Sequence, residues 1–208
     1  RLNIDYVDLC FCHMPDPETP AEEIVHTMNE LIRRGKIFYW GTSNHSAAAL
    51  FDMYRIAERD RLVPPTMEQS VYNMHVRHRL EGELKPVFDR YPLGTTIYSP
   101  LCQGVLTGKY SEGIPEDSRA AFNEHTRNAV TEERVEKTRK LTPIAEELGL
   151  SMAQLALAWT LKNPNVSTAI IGATRPEQVS DNAGAADAVD KLTDEVMQRI
   201  EDILDNKP

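Results

Sequence analysis

The feature that most constrains this chain is an alternation. Short apolar runs, each closing on glycine, proline or small polar residues, take turns with longer segments whose apolar residues recur every three to four positions. Runs of the first kind read as strands buried on both faces, the second kind as amphipathic helices, and strands separated by helices pair in parallel through right-handed crossovers. The run YVDLCFCH over residues 6–13 is a first strand and ends in a Pro-Asp-Pro turn. Thr19 and Glu22, with Pro20 at the first helical position, form a capping box; Ile24, Met28 and Leu31 keep the helical period, and Gly35 stops it. The unit then recurs, with a strand over 36–41, a helix opened by Ser46, a strand over 66–71, a helix over 80–90 and a strand over 94–99. Residues 101–130 are polar and too long for an ordinary connection, so they read as a functional loop. Helices follow over 131–148 and 151–162, the second with a Ser151–Gln154 capping box and a stripe of Met152, Leu155, Ala156 and Trp159. A fifth strand over 166–172 and helices over 176–186 and 193–204 close the series.

Two architectures satisfy this alternation, a doubly wound sheet and a (β/α)8 barrel. No G-x-G-x-x-G follows any strand, which weakens a dinucleotide fold of the first kind. Polar and special residues collect instead at strand ends: His13, Ser43 with Asn44, Gln69, Tyr98 with Ser99, and the segment from Gly172 to Arg175. A barrel brings all its strand ends to one face, around one ligand. With 208 residues, 41% of them hydrophobic and 26% charged, the chain can bury a substantial core, and residues 1–208 read as one domain. A net charge of −9 argues against nucleic-acid and anionic-membrane surfaces, and no apolar run approaches the ~20 residues of a membrane span. Three cysteines, two of them only two positions apart, make no disulfide framework and suit a reducing compartment, so cytoplasm is the expected location.

The stretch CFCH raises the question of a metal. In a strand Cys10 and Cys12 point to one side and His13 to the other, so the three cannot ligate one ion; no metal is expected, and the cysteines read as core. His13 stands at the strand end, where an imidazole can donate to a substrate oxygen; a structural histidine with a satisfied hydrogen bond is the alternative.

The ordered series YVDLCFCHMPDP, GKIFYWGTSNH, MEQSVYNM, IYSPLCQGVLTGKY and IIGATRPEQVSDN resembles the aldo-keto reductases, NADP-dependent (β/α)8 barrels. YWGTS and SPLCQGVLTGKY most resemble the subgroup that contains the potassium-channel β-subunits. The resemblance implies an incomplete barrel, the fourth strand onward, with about five of eight βα units plus C-terminal helices. It places His13 on the family's active-site histidine, Ser43 and Asn44 on the pair that bonds the nicotinamide carboxamide, and Gln69 beside them. Tyr98 falls on the aromatic position stacked against the nicotinamide ring. Ser99, Pro100, Leu101 and Gln103 fall on the pyrophosphate loop, with Lys109 and Arg119 further along it. Gly172, Thr174 and Arg175 precede a helix with Pro176 in its first turn and Glu177 at capping-box spacing from Thr174, a natural anion site; Gln178, Asp181 and Asn182 match positions near the adenine. Taken singly, Ser43–Asn44 is also an ordinary helix entry, Tyr98 a core tyrosine and the last three residues a solvated helix face.

The implied activity is NADPH-linked reduction of an aldehyde or ketone to an alcohol by hydride transfer, on a small-molecule carbonyl substrate, with a homo-oligomer left open. The family's proton-donating tyrosine and its aspartate and lysine partners belong to earlier strands; Tyr6, Asp8 and Lys36 lie in no matching motif. A fragment of a longer product, inactive alone, is therefore expected. The second reading is an NADPH-binding regulatory subunit; channel β-subunits resemble the family with asparagine where this chain has His13.

Overall fold

The computed structural model describes residues 3–208. Its strands are β1 (Val7–Cys12), β2 (Ile37–Ser43), β3 (Met67–Val71), β4 (Gly94–Tyr98) and β5 (Thr168–Ala169), in one sheet whose strand order follows the sequence. β1 pairs parallel with β2 and β2 parallel with β3. The helices are α1 (Ala21–Arg33), α2 (Ala47–Asp60), α3 (Lys85–Arg90), α4 (Arg119–Phe122), α5 (Glu124–Ala129), α6 (Glu132–Glu147), α7 (Met152–Lys162), α8 (Pro176–Ala183) and α9 (Asp194–Leu204). This is an α/β parallel sheet of five strands that does not close, as in an incomplete (β/α)8 barrel. The chain divides into two compact units, Arg1–Ser70 with Leu80–Thr96, and Val71–Arg79 with Ile97–Pro208.

In the first unit Val25, Ile37, Trp40, Met53, Ile56 and Ala57 form a closed apolar cluster. Ile24, Met28 and Leu31 of α1 pack on it, as their spacing predicts, and so do Cys10 and Cys12. Trp40 is fully buried and its indole N–H donates to the Val63 carbonyl at 3.0 Å, so the largest side chain of the cluster leaves no orphan donor. β1, expected to be buried on both faces, is fully buried on neither: its residues are half-buried or exposed. Leu9 and its register partner Tyr39 remain 45% and 54% exposed, because α1 and α2 cover the opposite side. Ser46 caps α2 by accepting from the Ala49 N–H, and Gly35, at φ +65°, ends the α1 segment. The capping box at Thr19 does not form. The Thr19 hydroxyl donates to the Asp16 carboxylate at 2.7 Å, closing the turn before the helix, and Pro20 becomes the cap. The expected helix over 80–90 is a π-helical turn, Arg79–Glu83, followed by α3.

The second unit is built around α7, which is buried on nearly all sides from Met152 to Thr160 and opens with the expected Ser151–Gln154 capping box. Tyr72 stacks on Trp159 with ring centroids 5.1 Å apart, and its hydroxyl accepts from Asn163 at 3.2 Å. The Arg77 guanidinium lies 5.1 Å from the Trp159 ring and pairs with Glu201 of α9 at 2.6 Å, so a buried charge meets both a π face and a carboxylate. Residues 101–130 are not one loop. They contain a 3-10 segment (Cys102–Thr107), α4 and α5, pieces too short to leave a periodic trace in sequence. The apolar run over 166–172 yields only the two-residue β5, joined to β4 where the Ile170 N–H donates to Ile97 at 2.7 Å. Ile170 stays 44% exposed, so its apolarity did not mark burial.

His75 of this unit is tucked beside α6, with its Nε2 3.2 Å from the Thr138 hydroxyl. Burial, then the Arg134 and Lys137 charges, push its pKa down to about 4. The unfolded chain therefore takes up a proton near pH 6.5 that the folded chain refuses until about pH 4. Stability falls as the pH is lowered through that window, by up to about 3 kcal/mol. Urea denaturation of the full-length protein at pH 7.0, 5.5 and 4.5 is expected to show this loss, and His75→Gln to remove most of it.

Candidate functional site

The first unit places a polar group on each of three adjacent strand ends. Register sets this arrangement: Cys12 of β1 lies opposite Thr42 of β2, and Ser43 opposite Gln69 of β3. His13 follows the first strand, Ser43 and Asn44 end the second, and Gln69 lies near the end of the third. Parallel strands in step deliver these four side chains to one edge of the sheet. Close approach of β2 and β3 needs Gly41, where an added Cβ would come within 2.4 Å of the Met67 carbonyl oxygen.

Asn44 turns the chain from β2 into α2 at φ +60°, a left-handed conformation that asparagine tolerates. Its backbone N–H donates to the Gln69 carbonyl at 3.2 Å, and its side-chain amide donates to the Ser43 hydroxyl at 3.1 Å and lies 3.7 Å from the Met14 sulfur. Beneath this edge the fully buried Glu68 carboxylate accepts from the Thr42 hydroxyl and, at 3.2 Å, from the His45 N–H. The His45 ring nitrogen Nδ1 lies 3.0 Å from the Ser43 carbonyl, which can only accept, so Nδ1 carries the proton. His13 is exposed and has no hydrogen-bond partner among the described residues.

In the second unit the end of β4 leads into a tightly wound segment. Tyr98 is half-buried; Ser99, Cys102 and Gln103 follow at φ of 53°, 48° and 55°, with Pro100 buried and Leu101 partly so. The Gln103 amide donates to the Ser99 hydroxyl at 2.9 Å, and the Leu101 carbonyl accepts from the N–H groups of Gly104 and Leu106. Lys109 folds back over Gly104, where an added Cβ would meet its Cε at 2.9 Å, and its ammonium lies 5.0 Å from the Tyr110 ring. A surface cavity of about 560 Å³ adjoins it, lined by Gly108, Lys109, Ser111, Glu112 and Ile114 among others. Arg119 is exposed at the start of α4.

The segment before α8 differs from expectation. Thr174 does not cap the helix through Glu177; its N–H and hydroxyl both donate to the Gln178 side-chain oxygen, at 2.8 and 3.2 Å, and Arg175 takes the cap position with its side chain exposed. The Gln178 side chain, four positions on, thus takes the place expected of Glu177, three positions on. Asp181 is tied to the start of α7, accepting from the Ser151 hydroxyl at 3.0 Å and, on its carbonyl, from Gln154 at 2.9 Å. Asn182 is buried, and Gly172 is exposed. Among the described residues no cluster of histidine, cysteine and carboxylate could hold a metal ion. Burial pushes the Cys12 thiol up to about 11 and raises that of Cys102, so neither is a ready nucleophile.

The sequence pattern that defines the Aldo/keto reductase family matches residues 1–205. The chain belongs to the aldo/keto reductase family. Relatives of this aldo/keto reductase include a probable voltage-gated potassium channel subunit beta from Oryza sativa subsp. japonica, 46% identical over 212 residues. Another of that description, from Arabidopsis thaliana, is 45% identical over 212 residues. A putative voltage-gated potassium channel subunit beta from Schizosaccharomyces pombe is 44% identical over 213 residues. Each comparison covers 100% of this chain; the chain spans 65%, 65% and 62% of those relatives, respectively.

Within this aldo/keto reductase chain, sequence reasoning passed over Glu68, His45 and Asn73, all buried and all hydrogen-bonded to the backbone of candidate site segments. A usable signal existed for Asn73, an asparagine two positions beyond a strand end, where such residues commonly close a turn. The left-handed Asn44 yields a stability test. Asn44→Gly should leave the unfolding free energy of the full-length protein within about 0.5 kcal/mol, since glycine adopts that conformation freely. Asn44→Val should cost on the order of 1–2 kcal/mol more in chemical denaturation.

Proposed function

We propose that the protein carrying this chain reduces aldehyde or ketone carbonyls to alcohols with NADPH. The observation that carries the reading is the edge formed by His13, Ser43, Asn44 and Gln69 on three in-step parallel strands of an aldo/keto reductase. His13 donates a hydrogen bond to the carbonyl oxygen, which gathers negative charge as the carbonyl is reduced. Its exposure and lack of an internal partner among the described residues leave the imidazole free for that bond. Ser43, Asn44 and Gln69 hold the nicotinamide carboxamide, Asn44 being pre-set by its bonds to Ser43 and Gln69.

The donor set of the second unit suits a phosphorylated dinucleotide. Lys109, Arg119 and Arg175 are exposed cations with no ion pair among the described residues, so each can meet a phosphate without first breaking a bond to a carboxylate. Tyr98 presents an aromatic face to the nicotinamide ring, and Ser99, Pro100, Leu101 and Gln103 form the turn over the pyrophosphate. Gly172, Thr174 and Arg175 approach the adenosine phosphate, and Gln178, Asp181 and Asn182 stand nearer the adenine. NADPH, when bound, supplies the hydride. A second reading, a dinucleotide-binding regulatory subunit, is favoured by the names of the rice, Arabidopsis and fission-yeast relatives.

In the full-length protein His13→Ala is expected to lower kcat for small aldehydes ~10²-fold while changing the NADPH Kd by less than threefold. Aldehyde turnover equal to wild type would remove the catalytic role and leave the regulatory reading. Arg175→Ala and Arg119→Ala should each weaken NADPH by about tenfold and NADH much less, as loss of a charged hydrogen bond to the extra phosphate requires. Isothermal titration with both cofactors measures the difference; equal losses would detach these arginines from that phosphate.

A further inference from the structure

We infer that Asn73 is a positioning residue for dinucleotide binding: its buried carboxamide holds the Ser99 carbonyl and so keeps the segment after β4 on its left-handed path. This rests on the dinucleotide reading proposed above. Asn73 is 1% exposed. Its Oδ1 accepts from the N–H groups of His75 and Val76, both at 3.0 Å, and its backbone exchanges hydrogen bonds with Val76 at 3.2 and 3.0 Å. With Oδ1 facing two donors, the other end of the amide must be the nitrogen, and it donates to the Ser99 carbonyl at 2.9 Å. The same carbonyl accepts from the Cys102 N–H at 3.0 Å, so both of its lone pairs are used.

The recipient needs such a hold. Ser99, Cys102 and Gln103 all sit at positive φ, and left-handed non-glycine residues persist only where the surroundings over-determine them. The donor side is correspondingly stiff. Tyr72 bonds Asn163, the Met74 carbonyl accepts from Asn206 at 2.8 Å, His75 meets Thr138 and Arg77 pairs with Glu201. Asn73 therefore transmits the rigidity of a turn anchored on α6, α7 and the C-terminal segment to the strained turn that carries Ser99 and Gln103. Nothing in the roles assigned to His13 or the arginines requires it.

The test is Asn73→Asp in the full-length protein, with NADP+ binding followed by quenching of tryptophan fluorescence from pH 5 to 8.5. The substitution keeps the acceptor for His75 and Val76 but turns a carboxylate oxygen toward the Ser99 carbonyl; protonation restores a donor there. The charged and titratable groups nearby are His75, whose pKa burial pushes down to about 4, and Arg134, Lys137 and Glu133 of α6, which wild type and variant share, so the variant-to-wild-type ratio isolates residue 73. The expected result is a Kd at least tenfold above wild type at pH 8.5, with the variant-to-wild-type ratio narrowing as the pH falls. Should the carboxylate prevent folding, Asn73→Ser, whose hydroxyl stops short of Ser99, is expected to raise Kd by about tenfold with its melting temperature largely retained. Wild-type affinity in either folded variant at pH 8.5 would overturn the inference, as would a deficit that ignores pH and follows a lowered melting temperature. Absence of NADP+ binding in the wild-type protein would overturn the dinucleotide reading itself, and this inference with it.

Discussion

Two parallel strands cannot be joined by a hairpin, so each pair in this chain spends a helix on returning to the same end of the sheet, and the chain always re-enters a strand in the same direction. Register then decides what the strand ends present. With Cys12 opposite Thr42 and Ser43 opposite Gln69, a slip of one residue between β1 and β2 or β2 and β3 would turn Ser43 or Gln69 to the opposite face. Gly41 is the steric condition of that register, since any side chain there meets the Met67 backbone. Trp40, one position earlier, supplies the apolar condition by burying its ring under α1 and α2.

The second unit solves a different problem, holding irregular backbone in place. Polar side chains reach the backbone at the points where no regular ladder is available: Asn73 at Ser99, Asn206 at Met74, Gln154 at Asp181 and Gln178 at Thr174. Side-chain amides suit this work, because each offers a donor and an acceptor in a fixed plane; of the four only Asn73 is buried. The helices beneath, with α7 apolar on almost every side, form the stiff frame from which these amides act.

Local signals were legible where the chemistry is local. Ser46, Thr131 and Ser151 cap α2, α6 and α7 because a hydroxyl one residue before a helix has few competing partners. Thr19 and Thr174 carry the same signal and do other work, since Asp16 and Gln178 reach them first. Alternation of apolar runs and helical periods was enough to name a parallel α/β sheet, yet the apolar run over 166–172 overstated β5, as hydrophobicity reports a preference for burial and not a partner for each N–H. His13, Ser43, Asn44 and Gln69 were recognisable as strand-end residues, and register then brought them to one edge. Asn73 was not, because its importance lies in a bond to a residue 26 positions away, and no periodicity encodes such a contact.

The proposed function requires that the protein carrying this chain transfers hydride to a carbonyl and does more than hold a dinucleotide. Single-turnover reaction of the full-length protein with NADPH deuterated at the transferable position and a small aldehyde tests it most directly. One deuterium per protein should appear on the carbinol carbon of the product alcohol, as read by mass spectrometry. Tight NADPH binding with no deuterium in any product would mean that the protein holds the dinucleotide without transferring its hydride.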